Sequence, residues 1–330
     1  MNCRQRFQNV MNFQPVDKIP LCEIATWWDI TIDKWIRQGF PDNLEFPDGI
    51  TEYFGLDIFK QWWLAPYKSD FPRAEGHGKG VIPDLDSYYR TKKQLYPQDV
   101  IDKADVERWA KKQEKGEIVI WITFEGFFWV PRELIGVEEQ LYAFYDHPKL
   151  IHTINQDLLE YNLQLLDEFC EICTPDFMTF AEDMSYKSGS MISKDLFDEF
   201  MAPYYHKIVP RLKHYGTIPF LDSDGNIEQL VPWYKEVGID AFLPLERQAG
   251  LDLAALREKH PNVRLIGGYD KMVMAKGEAA MRAEFERLLP VMKQGGYIPS
   301  VDHQTPPNVS LENYYIYLRL LNEYCSEIGQ

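Results

Sequence analysis

Short apolar runs alternate with longer amphipathic stretches along this whole chain, and that rhythm constrains the fold more than any single motif does. Strands separated by helical crossovers pair in parallel, whereas antiparallel neighbours need only a tight turn. Residues 18–23, 118–124, 177–181, 217–221, 241–245, 263–266 and 297–301 read as strands, with 57–63 as a weaker eighth. Eight such strands would close a barrel, so the expected class is α/β: a single (β/α)8 TIM barrel over residues 1–330 with amino-terminal helical elements. Helical spacing covers 148–173, 193–215, 227–237, 252–260, 277–293 and 310–328, with Ser193 and Ser310 placed as caps. Gly, Pro and charge concentrate at 66–98, which reads as a surface excursion because the rhythm resumes on both sides.

A formal charge of -16, from 51 acidic and 35 basic side chains, argues against a nucleic-acid partner, since phosphate would be repelled unless the basic residues were segregated. The doublets Lys92-Lys93 and Lys111-Lys112 lie in mixed surroundings and read as solvated surface. Five scattered cysteines and no amino-terminal apolar signal segment point to the cytoplasm, and the absence of 18 uninterrupted apolar residues excludes a helical membrane span. Cys170 and Cys173 form a CxxC at helical spacing, which reads as a buried helix face rather than a metal or redox centre.

Nearly every expected strand ends in a polar group: Glu23, Glu125, Glu182-Asp183, Asp222 and Asp224, Glu246, Asp270 and Asp302-His303. In a closed barrel these ends converge on one mouth. Carboxylates and an imidazole gathered there can act as a general acid and base, or can ligate a divalent ion with a position left for substrate. The turn Asp222-Ser223-Asp224-Gly225-Asn226 sets two carboxylates two residues apart, with Gly225 allowing the bend; the same turn would also serve as a plain helix cap. Aromatic residues at Trp27-Trp28, Trp62-Trp63 and Phe127-Phe128-Trp129 fall near strand ends, and Trp27, Trp28, Trp63, Phe127 and Trp129 are the candidate pocket walls for a flat substrate. Gly267-Gly268-Tyr269-Asp270 lacks the spacing of a dinucleotide fingerprint, and neither a P-loop nor a nucleophile elbow is present.

The segments Arg4-Gln5-Arg6-Phe7, Pro15-Val16-Asp17-Lys18-Ile19-Pro20, the turn at Asp222 and the run from Gly295 to Tyr314 (GGYIPSVDHQTPPNVSLENY) resemble the uroporphyrinogen decarboxylase superfamily over nearly the whole chain. The resemblance implies a TIM barrel and two activities, tetrapyrrole decarboxylation and zinc-dependent methyl transfer to or from corrinoid proteins. Decarboxylases of the family carry Arg-Gln-Ala-Gly-Arg after the first strand, where this chain has Glu23-Ile24-Ala25-Thr26-Trp27-Trp28; Arg247-Gln248-Ala249-Gly250 lies elsewhere and lacks the final Arg. The methyltransferase branch fits better. Its His-x-Cys turn and its Cys before a Pro-Pro pair fall on Asp222, Asp224 and His303, so the resemblance implies those three as zinc ligands, all changed in type. Oxygen and nitrogen ligands leave zinc more Lewis acidic than thiolates do, which favours an O-methyl donor, aryl methyl ethers included.

The expected partners are therefore a small-molecule methyl donor and a corrinoid protein, with no nucleic acid and no membrane, and a homodimer among the compatible assemblies. Glu182 and Glu246 are the expected catalytic carboxylates, as a proton source or a further metal contact. The rival classes are a metal-free carboxy-lyase using Glu182 or Asp222 as its acid, and a binding protein without turnover.

Overall fold

The computed structural model describes every residue except Arg73, His77 and Gln330, the first two of which lie within the expected 66–98 excursion. Among the described residues, seven parallel strands form one curled sheet of a TIM-like barrel: β1 (Phe59–Leu64), β2 (Val119–Glu125), β3 (Phe177–Ala181), β4 (Ile218–Asp222), β5 (Ala241–Leu243), β6 (Arg264–Tyr269) and β7 (Tyr297–Val301), in that spatial order. A sheet paired in chain order places helices on its outer face, and β2, β3 and β7 are accordingly buried at every position.

The expected strand at 18–23 is absent, and the reason lies in where its amides go. Ile19 N–H donates to the Cys325 carbonyl and Leu21 N–H to the Asp57 carboxylate, while Leu21 accepts from Asp57 N–H. Ile24 N–H then donates to Ser300 Oγ on β7, so one extended segment touches β7 and the approach to β1 without forming a ladder with either. The two free edges of the sheet are thus bridged by side chains and a few single backbone bonds, with an isolated parallel bridge at Trp27–Thr305.

One end of the sheet is plugged. Helix Cys3–Met11 begins with a capping box at Asn2 and presents Phe7, fully buried, to the first residues of β1 and β3: its ring lies 5.6 Å from Phe59 and 5.3 Å from Phe177. Arg4 ties the plug down through a 2.7 Å bond to Asp176, and Arg6 pairs with Asp17 through two 2.9 Å bonds. The opposite end, where the carboxyl ends of the strands gather, is left for the site.

The expected helices keep close to their ranges except at 193–215, while helices Lys103–Glu114, Trp129–Ile135 and Val137–Asp146 stand where none was expected. The run at 193–215 is two helices, Lys194–Phe200 and Ala202–Tyr215, broken at Met201 ahead of Pro203. The 66–98 excursion is partly ordered by helix Leu85–Thr91, capped by Asp84, and a 3-10 turn at Lys92–Gln94. Among the described residues no helix is long and apolar enough to cross a membrane.

Candidate active site

The turn after β4 is held by its neighbours on both sides. Asp224 N–H donates to the Asp183 carboxylate at 3.0 Å, Gly225 N–H to Glu246 at 2.9 Å, and the Asp224 carbonyl accepts from Ser185 Oγ at 2.6 Å. The loops after β3, β4 and β5 therefore lock together. Gly225 sits at φ +83, and a side-chain carbon there would lie 2.4 Å from the Ser185 carbonyl, so only glycine lets this turn press against the short hairpin Ser185–Tyr186 and Gly189–Ser190. Three residues other than glycine, Thr26, Asp183 and Leu245, also take positive φ in loops at this end. Left-handed backbone at such residues is costly and collects at functional sites.

His303 reaches this turn from the end of β7. Its Nε2 lies 2.9 Å from Asp224 Oδ1, while its Nδ1 is enclosed and has no partner among the described residues. Burial pulls the imidazole pKa down, but the Asp224 carboxylate pulls it further up, and the net effect is a raised value that favours the charged form. Asp222 and Asp183 stand beside the pair. Desolvation first, then repulsion from Asp183 and Asp224, holds the Asp222 carboxyl well above the usual range, and burial with the Asp224 charge raises Asp183 as well. Asp302, next to His303, turns away to accept from Arg247 N–H at 2.9 Å.

Two cavities open here. The smaller, about 390 Å³, is lined by Asp183, Asp224, Gly225 and Glu246 with the hairpin and Arg132. The larger, about 960 Å³, is walled by Tyr67, Phe71, Lys79 and Val81 on one side and by Trp129 and Arg132 on the other. Arg132, Tyr186 and Met191 border both, so the acidic turn and the aromatic chamber share a wall.

Of the residues expected at the site, Asp222, Asp224, His303 and Glu246 gather around this mouth, and Trp129 lines the larger cavity. Others go elsewhere. Trp27 and Phe127, each 1% exposed, are core residues, packed on Phe54 and Tyr314 and on Phe180, Tyr204 and Tyr205 respectively. Trp28 opens helix Asp29–Ile36 in an exposed position, and Trp63 is half-exposed with its indole N–H on Glu125. Neither borders either cavity.

Glu182, the other expected catalytic carboxylate, is fully buried and borders neither cavity; its two oxygens accept the backbone N–H groups of Phe127, Phe128 and Trp129 and the Tyr205 hydroxyl, which anchors the start of helix Trp129–Ile135. Sequence reasoning missed Arg132, and it named Asp183 at a strand end without giving it a role. Asp183 follows Glu182 at a strand end and carried the same signal; Arg132 lies inside a helix and carried none.

The donors suit zinc in type, being carboxylates and an imidazole. In position, Asp224 and His303 already face one another with Asp222 close behind, although among the described residues no three His, Cys, Asp or Glu side chains form a ready metal-holding group. All five cysteines lie away from both cavities, so the site offers no thiolate.

The model of the family described as Uroporphyrinogen decarboxylase (URO-D) matches residues 84–324 of the chain. No curated protein matches it. Among solved structures, a methyltransferase from Methanosarcina mazei covers 98% of this chain and 99% of its own at 15% identity, with a TM-score of 0.66. A Listeria monocytogenes protein described as a vitamin-B12-independent methionine synthase covers 95% and 98% at 14% identity, with a TM-score of 0.48. At 15% identity the likeness to the Methanosarcina protein is one of fold.

Proposed function

Because the chain belongs to the uroporphyrinogen decarboxylase family, we propose that it is a methyltransferase of that family, moving a methyl group from a small O-methyl compound to a corrinoid carried by a partner protein. The observation that carries this reading is the Asp224–His303 pair, set on an acidic, thiolate-free turn that shares a wall with an aromatic chamber. The similarity in fold to a methyltransferase supports it over nearly the full length of both chains. The segment from Ile19 to Ile24 would act in place of the eighth stave, keeping the mouth round.

Asp222, Asp224 and His303 are the residues that would hold zinc, which when bound supplies Lewis acidity toward an ether oxygen. The chain itself contributes position. Glu246 and Asp183 fix the turn through the Gly225 and Asp224 amides, which would keep Asp222 and Asp224 in one orientation toward a bound ion. Trp129 and Arg132 offer a flat, cationic face on which an aryl ring can lie near the acidic turn. As the methyl carbon passes to the acceptor, the electron pair of the carbon–oxygen bond stays on oxygen, which takes up a proton and leaves as a hydroxyl group.

One observation favours a second reading. Burial and the Asp183 and Asp224 charges hold the Asp222 carboxyl well above its usual range, and a carboxy-lyase would use an acid shifted in that direction to protonate a product carbon. The test is to supply the purified chain with reduced corrinoid protein and a panel of methoxylated arenes, and separately with uroporphyrinogen. Methylated corrinoid and free phenol in proportion to zinc content are expected; decarboxylated porphyrinogen with no methyl transfer would replace this reading with the other.

A further inference from the structure

His303 is aimed at Asp224 by its neighbours as well as by its own contact. Asp302, the residue before it, is fully buried. Its N–H donates to the carbonyl of Tyr269, the last residue of β6, at 3.0 Å, and its Oδ2 accepts from Arg247 N–H in the loop after β5 at 2.9 Å. Its Oδ1 is enclosed and has no hydrogen-bond partner among the described residues. What faces that oxygen is the ammonium of Lys271, at 3.8 Å, on a side chain that is only 18% exposed and that opens the 3-10 turn Lys271–Lys276. Among the described residues each is the other's only ion-pair partner. A lysine gives up that much water, and a carboxylate all of it, only where the two charges answer one another. The loops after β5 and β6 are joined a second time by Gln248 Nε2, which donates to Asp270 at 2.6 Å. The lock that Asp183 and Glu246 make on the turn after β4 is thus carried on through Arg247, Asp302 and Lys271 to the loop that bears His303.

We propose that Lys271 and Asp302 are positioning residues of this site: their ion pair fixes the loops after β6 and β7 against one another and so sets the His303 imidazole facing Asp224. Neither side chain borders either cavity, so the pair acts through His303 and not on substrate. Without the ammonium, Asp302 would be a buried carboxylate with one oxygen bonded to an amide and the other facing nothing. Such a charge is relieved by moving toward water, and a shift of the chain at Asp302 carries His303 with it. The contact at stake is the 2.9 Å approach of His303 Nε2 to Asp224 Oδ1, which leaves little room for movement. The inference rests on the methyl-transfer reading for the purpose of the alignment, and not for the alignment itself.

The test has two readouts on the whole chain, neither of which needs turnover: the NMR signals of the His303 ring, assigned by their loss in His303→Gln, and zinc affinity measured in competition with a chromogenic chelator. Lys271→Met removes the charge and keeps most of the stem. It is expected to shift the His303 signals and to weaken zinc binding by about tenfold or more, the usual effect of losing a group that orients a ligand. Lys271→Arg, which keeps the charge, should restore most of both, a recovery that a purely structural role for the side chain would not require. Unchanged His303 signals in folded Lys271→Met, unchanged affinity where the parent binds zinc, or no recovery in Lys271→Arg overturns the proposal. If Lys271→Met does not fold, Asp302→Asn decides by the same signals, since it breaks the pair while still accepting from Arg247. Displaced His303 signals in a chain whose parent binds no zinc would uphold the positioning and defeat the metal-dependent reading; zinc held equally well by the parent and by Lys271→Met would do the reverse.

Discussion

Glu182 and Glu125 both close barrel strands, yet the surroundings assign them different work. At Glu182 four donors converge on one carboxylate, three of them amides at the start of a helix. Gly126 stands so close that a side-chain carbon there would lie 2.1 Å from the Glu182 carboxyl carbon. Glu182→Ala would leave those donors unpaired in the core, and a loss of about 3 kcal/mol or more in denaturant unfolding is expected. Full stability with lost turnover would restore a catalytic role. Glu125 has no such support: Trp63 donates to one oxygen and the other is enclosed without a partner among the described residues. Burial is the main cause that raises its pKa from 4.5 to about 7, against the opposing effect of the neighbouring Tyr67 hydroxyl and of the Trp63 hydrogen bond. A carboxyl whose folded pKa lies above its unfolded one gives stability that is complete below about pH 4 and is lost as pH rises through about 7. The parent chain should therefore lose about 3 kcal/mol across that window from this residue, and Glu125→Gln should flatten that part of the stability curve. An unchanged curve would mean that Glu125 is ionised in the fold.

The elements show why some features were legible and others were not. Apolar runs bounded by polar residues located β3 and β7 at 177–181 and 297–301 and β2 and β4 to within one residue, because a strand buried on both faces has few ways to hide its composition. The segment at 18–23 has the same composition and is not a strand. Its pairing depends on Asp57 and Cys325, distant in sequence, which take its amides in place of a ladder. Asp222, Asp224 and His303 were readable as candidates because strand ends share a mouth, but the burial of Trp27 and Phe127 was not, since an aromatic beside a strand end suits a core and a pocket wall equally well. Arg132 becomes visible only when the helix after β2 is seen against the loop after β3. The turn after β4 is the element on which the site depends. Gly225→Ala should cost about 2 kcal/mol in stability and loosen the Asp224–His303 contact, since the turn must give way both to a positive φ and to the Ser185 carbonyl. A variant with parent stability would show that the turn is not held against the hairpin.

At the scale of the whole molecule, the plug at one end and the acidic mouth at the other follow from one parallel topology. The motifs that carried the family resemblance divide between those ends. Arg4, Arg6, Phe7 and Asp17 secure the plug, and Asp222, Asp224 and His303 form the mouth, so roughly half of the recognisable pattern concerns stability and only the rest concerns chemistry. The family was therefore more legible than the reaction. The central claim is that the Asp224–His303 pair at this mouth serves methyl transfer, and the direct measurement is the absorbance change of a reduced corrinoid protein in a single turnover with a methoxylated arene, for the parent chain and for His303→Ala and Asp224→Asn. The account predicts formation of methylated corrinoid by the parent and a fall of at least about a hundredfold in both variants, with unfolding midpoints close to the parent's. Methylation at the parent rate in folded variants would contradict it, as would a parent chain that methylates no corrinoid from any donor.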